Sequence, residues 1–204
     1  MAAADASRDR VFAAAATAFA AHGFAGTSVD RIAHAARLNK AMIYYHFRNK
    51  AELYREILRD MFGAVGARAG AVAASNRPPA DKVREFIDTF ATEAEARPHF
   101  PPIWFREVAE GGPHLDDATL GDMTGVLKSL ASIIEEGVRA GAFCPISPLL
   151  VHAGIVGPVL LFFASAGIRR RVERSGVRGA ATLTRGEVVA HVQRVTLGLL
   201  EGRT

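Results

Sequence analysis

The chain has 204 residues, half of them apolar, a formal net charge of +4 and one cysteine, Cys144. That is enough for a small N-terminal module plus one further hydrophobic core. A single cysteine excludes an intramolecular disulfide and a cysteine-built zinc site and fits a reducing compartment, so the composition suits a soluble cytoplasmic protein. The opening Met-Ala-Ala-Ala-Asp brings acidic residues early and is not expected to act as a secretion signal.

The first predicted helix carries Val11, Phe12, Ala15, Ala16 and Phe19 at spacings of three and four, and Gly23 suits the left-handed position that closes it. Thr27 with Asp30 three residues on resembles a capping box, opening a second helix that buries Ile32, Ala33 and Ala36. Asn39 is a good N-cap for a third helix, and Asn49 followed by Glu52 starts a fourth with Leu53, Tyr54 and Ile57 as its apolar stripe. Two short helices around a tight turn make a helix-turn-helix over about 28–47.

On a 3.6-residue wheel Ile43 and Phe47 point together into the core, while Ala41, Met42 and Tyr45 face outward, Lys40 sits in the first turn and Tyr44 lies on a flank. This is what a recognition helix needs, its first residues reaching base edges and its sides touching backbone. Tyr44, Tyr45 and His46 can each donate to a phosphate oxygen, or can simply cover a small core. From Arg31 to Lys50 there are five basic residues and no carboxylate, and residues 1–60 hold nine Lys/Arg against six Asp/Glu. Most of the positive excess therefore lies where DNA phosphates would select for it.

Lys40-Ala41-Met42-Ile43-Tyr44-Tyr45-His46-Phe47, then Arg48-Asn49-Lys50-Ala51-Glu52-Leu53, resembles the signature of TetR-type transcriptional regulators. Phe24-Ala25-Gly26-Thr27-Ser28-Val29 ahead of Ile32-Ala33 fits the same pattern. The match spans about forty consecutive positions, roughly the first quarter of the chain, beyond which only length and helical character agree. The resemblance implies phosphate contacts for Ser28, Tyr44, His46 and Lys50 and a base-facing role for Lys40, Ala41, Met42 and Tyr45, with Thr27 beside them. Such regulators usually have glycine in the turn, where this chain has Arg37. A non-glycine residue at positive φ there costs about 1 kcal/mol, unless the turn takes another shape, and Arg37 can add a phosphate contact in return.

Beyond the motif the chain reads as helices. The fourth continues to about residue 74, where Ser75-Asn76-Arg77-Pro78-Pro79 stops it, and a fifth runs from Pro79 to Ala96 with Val83, Phe86, Ile87 and Phe90 on one face. A sixth, near Pro102 to Glu110, carries Ile103, Trp104 and Val108 and breaks at Gly111-Gly112-Pro113. The seventh runs from near Asp116 to Gly141. Residues 149–168 are almost uncharged and precede Arg169-Arg170-Arg171, which meets the length and charge test for a membrane span, but long apolar runs with His152 and Pro158 also occur in protein cores, and the DNA-binding module favours a helix buried in a subunit interface. The resemblance implies dimerisation through the last two long helices, here about 148–173 and 184–202. Leu160, Leu161, Ala164, Val192 and Leu199 are the interface candidates, and Gly154, Gly157 and Ala166 permit close packing.

Catalysis finds no foothold: there is neither a phosphate-cradling glycine loop nor a nucleophile elbow. The histidines at 22, 34, 46, 99, 114, 152 and 191 show no short metal-ligand spacing, so no metal or other cofactor is expected. Asp116-Asp117 and Glu135-Glu136 read as helix-start charge and solvated face. Phe86, Phe90, Phe100, Trp104 and Phe105, with His99, Arg106, Glu107 and His114 as polar anchors, are candidates for an effector pocket, though core packing explains the same aromatics. They favour a largely apolar small molecule over charged metabolites or free metal ions.

The expected protein is all-α with about nine helices: a helix-turn-helix domain over 1–50 and a helical effector-binding and dimerisation domain over 51–204. It is expected to be a homodimeric repressor on a palindromic double-stranded DNA operator, released when an effector among the middle helices shifts the fourth helix. An activator of the same type, a membrane-associated helical protein, and a helical carrier or enzyme are the alternatives.

Overall fold

The computed structural model describes residues 2–203, with side chains from Ala6 onward. These residues form ten helices and no strand: α1 (Ala2–His22), α2 (Val29–Ala36), α3 (Lys40–His46), α4 (Lys50–Ala74), α5 (Pro79–Ala96), α6 (Phe100–Glu110), α7 (Asp117–Arg139), α8 (Pro148–Ala164), α9 (Ala166–Arg174) and α10 (Arg185–Leu200). The protein is all-α, as the sequence leads one to expect.

The helix ends follow local chemistry. Gly23 adopts φ +70° after α1, and its N–H donates to Phe19 O at 2.8 Å. Asn39 Oδ1 accepts from the Met42 N–H at 2.9 Å at the start of α3, and Asn49 Oδ1 accepts from the Glu52 N–H at 2.8 Å at the start of α4. The cap of α2 differs from the expected Thr27–Asp30 box. Ser28 is the N-cap and accepts from the Arg31 N–H, while Thr27 is buried and its hydroxyl hydrogen-bonds Ala18 O and Gly23 O. The apolar environment behind α1 takes the Thr27 side chain inward, so the cap falls to the next hydroxyl.

The tenth helix arises from a break at Ser165, inside the span expected as one helix. Ser165 sits at φ −93°, ψ 6°, its hydroxyl donates to Phe162 O, and the Arg169 guanidinium donates to Phe162 O and to Ser165 Oγ. These side chains satisfy Phe162 O, a backbone acceptor that a continuous helix would satisfy itself, and α8 and α9 meet at a bend of 66°. Among the described residues no single helix is long and apolar enough to cross a membrane.

The chain divides into two compact units. One comprises the N-terminal stretch through Phe62 together with His99–Leu120; the other comprises Gly63–Pro98 and the chain from Gly121 onward. The first packs Val11, Ala15 and Phe19 of α1 with Ile32 of α2, Ile43 of α3, Phe47 just beyond it, Leu53, Ile57 and Leu58 of α4, and Phe100 and Ile103 of α6. In the second, α5, α8 and α10 pack on one another, burying Val83, Phe86, Ile87 and Phe90 from α5, Val151, Ile155, Val159 and Leu160 from α8, and Val189, Val192, Leu197 and Leu200 from α10. Burial of a side chain of this size is worth about 1.5–3 kcal/mol, so these stripes, more than helix propensity, hold each unit together.

Candidate nucleic-acid interface

The turn between α2 and α3 is built on Arg37, which adopts φ 53°, ψ 46° and is the sole non-glycine residue at positive φ among the described residues. Its N–H donates to His34 O at 3.1 Å and the Leu38 N–H to Ala33 O at 3.0 Å, closing α2 as a glycine would. Its side chain is exposed. The turn therefore keeps the left-handed shape and accepts the strain of a Cβ.

α3 then presents its residues as the wheel requires. Ile43 is fully buried and Phe47 nearly so, whereas Tyr44 is 53% and Tyr45 73% exposed. Large rings left this open are not there to fill the core. Ala41 is exposed and Met42 half-buried. Lys40 forms an ion pair with Asp30 at 2.6 Å, and the hydrogen bond its ammonium donates to this carboxylate, then the carboxylate's charge, raises the Lys40 pKa. The ammonium stays charged and is held at the N-terminal edge of α3.

The remaining candidates take part in the scaffold. His46 Nε2 lies 2.6 Å from Ser7 Oγ on α1. Lys50 Nζ donates to Phe24 O and Thr27 O, both at 3.0 Å, and lies 4.1 Å from the centre of the Phe24 ring. It thereby ties the start of α4 to the α1–α2 connection, with one N–H of three left over. Ser28 is exposed beside its capping bond, and Thr27, 1% exposed, acts as an internal latch. A groove of about 680 Å³ within the same unit is lined by Arg10, His22, Arg31 and Arg37 over small α1 and α2 residues, with no carboxylate.

Behind the motif, α6 supports α1 and α4. Arg106 Nη2 donates to Ala21 O at the end of α1, and position 23 calls for glycine by its left-handed φ, the Arg106 guanidinium 2.7 Å from where a Cβ would stand being free to shift. Tyr54 donates to Glu107 Oε1 at 2.9 Å; burial first, and Glu107 second, raise its pKa, so it remains a phenol. Glu107 and His114, read from sequence as effector anchors, instead bond each other, Nδ1 to Oε1 at 2.9 Å, and Glu110 lies beside them. The Glu107-x2-Glu110-x3-His114 spacing was the available signal, hidden by the Gly-Gly-Pro turn within it.

The aromatic pocket candidates separate into two sets. Phe86 and Phe90 belong to the second unit, 5.5 Å apart; Phe100 and Trp104 belong to the first, where each packs on Phe62. Phe86, Phe90 and Phe100 are core residues, and only Trp104 and Phe105 are half-exposed. The interface candidates divide similarly: Leu160 and Val192 lie inside the second unit, whereas Leu161, Ala164 and Leu199 are exposed. Of the acidic pairs, Asp116 caps α7 by accepting from the Thr119 N–H and hydroxyl, and Glu136 pairs at 2.7 Å with the buried Lys82.

Comparison with known proteins agrees with this geometry. Residues 11–57 match the family model "Bacterial regulatory proteins, tetR family", and residues 79–171 match "Tetracyclin repressor-like, C-terminal domain". The HTH-type transcriptional regulator RutR of Escherichia coli (strain K12) is 27% identical over 143 residues, covering 70% of this chain and 67% of that protein. The HTH-type transcriptional repressor NicS of Pseudomonas putida is 28% identical over 145 residues, covering 69% and 67%. The structure of the ketosteroid transcriptional regulator KstR2 of Mycobacterium tuberculosis superposes with a TM-score of 0.75 at 21% identity, over 95% of this chain and 94% of that one, and so shares the fold. With its helix-turn-helix and its C-terminal helices both matched, the chain belongs to the TetR family and is a DNA-binding transcriptional regulator, not an enzyme.

Proposed function

We propose that the protein is a repressor that binds a palindromic operator as a two-fold homodimer in the cytoplasm and is released by a small molecule, with residues 1–50 serving DNA and residues 51–204 serving effector and dimer. The observation that carries the DNA half is the exposure of Tyr44 and Tyr45 on an α3 whose flanks, from Arg31 to Lys50, hold no carboxylate. In this reading Lys40, Ala41, Met42 and Tyr45 face base edges, and Ser28, Arg37, Tyr44, His46 and the spare N–H of Lys50 reach phosphates. Lys40 exchanges Asp30 for DNA. The repressor sense is supported by the name of NicS, and the dimer by the exposed apolar residues of α8 and α10. Trp104 and Phe105 offer ring surface to an apolar effector.

A gel-shift titration at several salt concentrations tests the assignment. Tyr44→Phe should weaken binding about uniformly across sequences, and Arg37→Gly should lower the salt slope by about 1, whereas Tyr45→Ala should relax preference at one base position by about 1–3 kcal/mol. Unchanged affinity in all three would remove the α3 face from the interface. For the effector, quenching of Trp104, the only tryptophan, should accompany loss of operator affinity, by the same factor with which operator lowers effector affinity.

A further inference from the structure

We propose that Glu107, Glu110 and His114 form a binding site for a divalent transition-metal cation of the zinc class on the DNA-binding unit. The backbone brings the three together. Glu107 and Glu110 stand one turn apart on α6, which ends in two left-handed glycines, Gly111 at φ +81° and Gly112 at φ +71°. The Gly112 N–H donates to Glu107 O at 2.7 Å, the chain reverses through Pro113, and the His114 N–H reaches Glu107 Oε2 at 3.3 Å. One ligand atom from each of the three residues lies within 4.8 Å of the others.

The donor set has the chemistry of a cation site. Glu107 is 1% exposed, a carboxylate drawn inside the protein, and the groups bonded to it are the Tyr54 hydroxyl and the ring and backbone nitrogens of His114. Two ligand atoms on a tetrahedral zinc, each about 2.0–2.1 Å from the metal, sit about 3.3 Å apart. His114 Nδ1 and Glu107 Oε1 are 2.9 Å apart, so a cation can replace the proton they share after a shift of a few tenths of an ångström. The Tyr54 hydroxyl then holds the liganded carboxylate in place, as outer partners of metal ligands do. Glu110 is exposed and His114 half-buried, leaving the outward side open for entry and for a fourth ligand. One imidazole and two carboxylates suit zinc, cobalt or nickel, and lack the oxygen number that calcium requires and the sulfur that copper(I) prefers.

The site touches the helix-turn-helix scaffold. The His114 ring lies 4.2 Å from the Phe24 ring, centre to centre, and Phe24 carries the carbonyl and the ring that hold Lys50. Fixing the imidazole on a metal therefore steadies the α1–α2 connection. The proposed ligands come from α6 and from beyond the Gly111-Gly112-Pro113 turn, so histidine spacing alone carries no signal for them.

The test uses the untagged 204-residue chain, stripped with a chelator and titrated with zinc against a chromophoric competitor, and with cobalt followed by visible absorption. One zinc per chain is expected, with a cobalt spectrum of a nitrogen- and oxygen-liganded site. Glu110→Gln, at an exposed position, should lower zinc affinity at least about tenfold while leaving the melting temperature of the metal-free protein unchanged. Tyr54→Phe should lower the affinity as well, and added zinc should raise the melting temperature of the natural chain more than that of Glu110→Gln. Absence of stoichiometric zinc uptake, or uptake by Glu110→Gln and His114→Gln with the affinity of the natural chain, would overturn the assignment.

Discussion

Arg37 shows one residue serving two ends that pull in opposite directions. Its left-handed backbone costs about 1 kcal/mol, while its exposed guanidinium stands in the turn of a DNA-binding motif. Glycine removes the strain but gives back part of the gain by loosening the unfolded chain. Arg37→Gly should therefore leave thermal stability equal or up to about 1 kcal/mol higher while weakening operator binding, measured by melting and gel shift on the same preparation; a fall in both would mean that the side chain holds the turn together. Asp116 gives a second single-residue expectation. Burial alone would raise its pKa, but the Arg59 guanidinium and the Thr119 N–H and hydroxyl outweigh that and hold it at about 2, against an ordinary 3.8. A depressed folded pKa gives stability that is present above about pH 4 and is lost as pH falls through about 2. Asp116→Asn should therefore cost about 1 kcal/mol at pH 7 and progressively less as pH falls through about 2, the size being modest because Arg59 is partly exposed. Equal destabilisation across that range would assign the effect to the α7 cap instead.

At the scale of elements, packing decides what local signals leave open. Gly137 lies within α7, where a Cβ would stand 2.0 Å from the Phe143 ring, which folds back after the helix with its N–H donating to Gly137 O at 3.2 Å. Gly137→Ala should cost about 1–3 kcal/mol in a denaturant melt, although alanine is the better helix former, because the ring must leave its place. A stabilised variant would mean that Phe143 moves freely. The same contrast explains what the sequence disclosed. Gly23, Asn39, Asn49 and Pro79 mark helix ends by chemistry contained within a turn of chain, so those boundaries were legible. Thr27 against Ser28 depended on which hydroxyl faced the α1 carbonyls, and the α8–α9 break on Arg169 reaching Phe162 O; both are contacts across a turn or more, without a periodic signal. In the candidate interface the outward set of α3 followed from its 3.6 period. The inward duties of His46 and Lys50 did not, because Ser7 and Phe24 are distant in sequence.

At the scale of the whole molecule, the proposed palindromic operator would offer two half-sites to two recognition helices, and on that reading operator binding and self-association stand or fall together. The second unit separates what a protomer needs for its own core from what it leaves open. Leu160 and Leu161 are neighbours on α8, the first 0% and the second 56% exposed, and on α10 Val192 is buried while Val195 and Leu199 are open. Exposed leucine and valine on α10 and on α8, which also carries small Gly154 and Gly157, make the surface that a second copy would cover. Substitution at the two leucines should thus give different failures. Leu160→Ala opens a cavity and should lower protomer stability by about 2–5 kcal/mol while the folded fraction still dimerises. Leu161→Asp places a charge where burial would follow only on association, so it should leave a folded monomer whose operator affinity falls because the half-sites no longer bind jointly. Sedimentation of both variants, with a melt on each, separates the outcomes, and a natural chain that sediments as a monomer would remove α8 and α10 as the dimer surface.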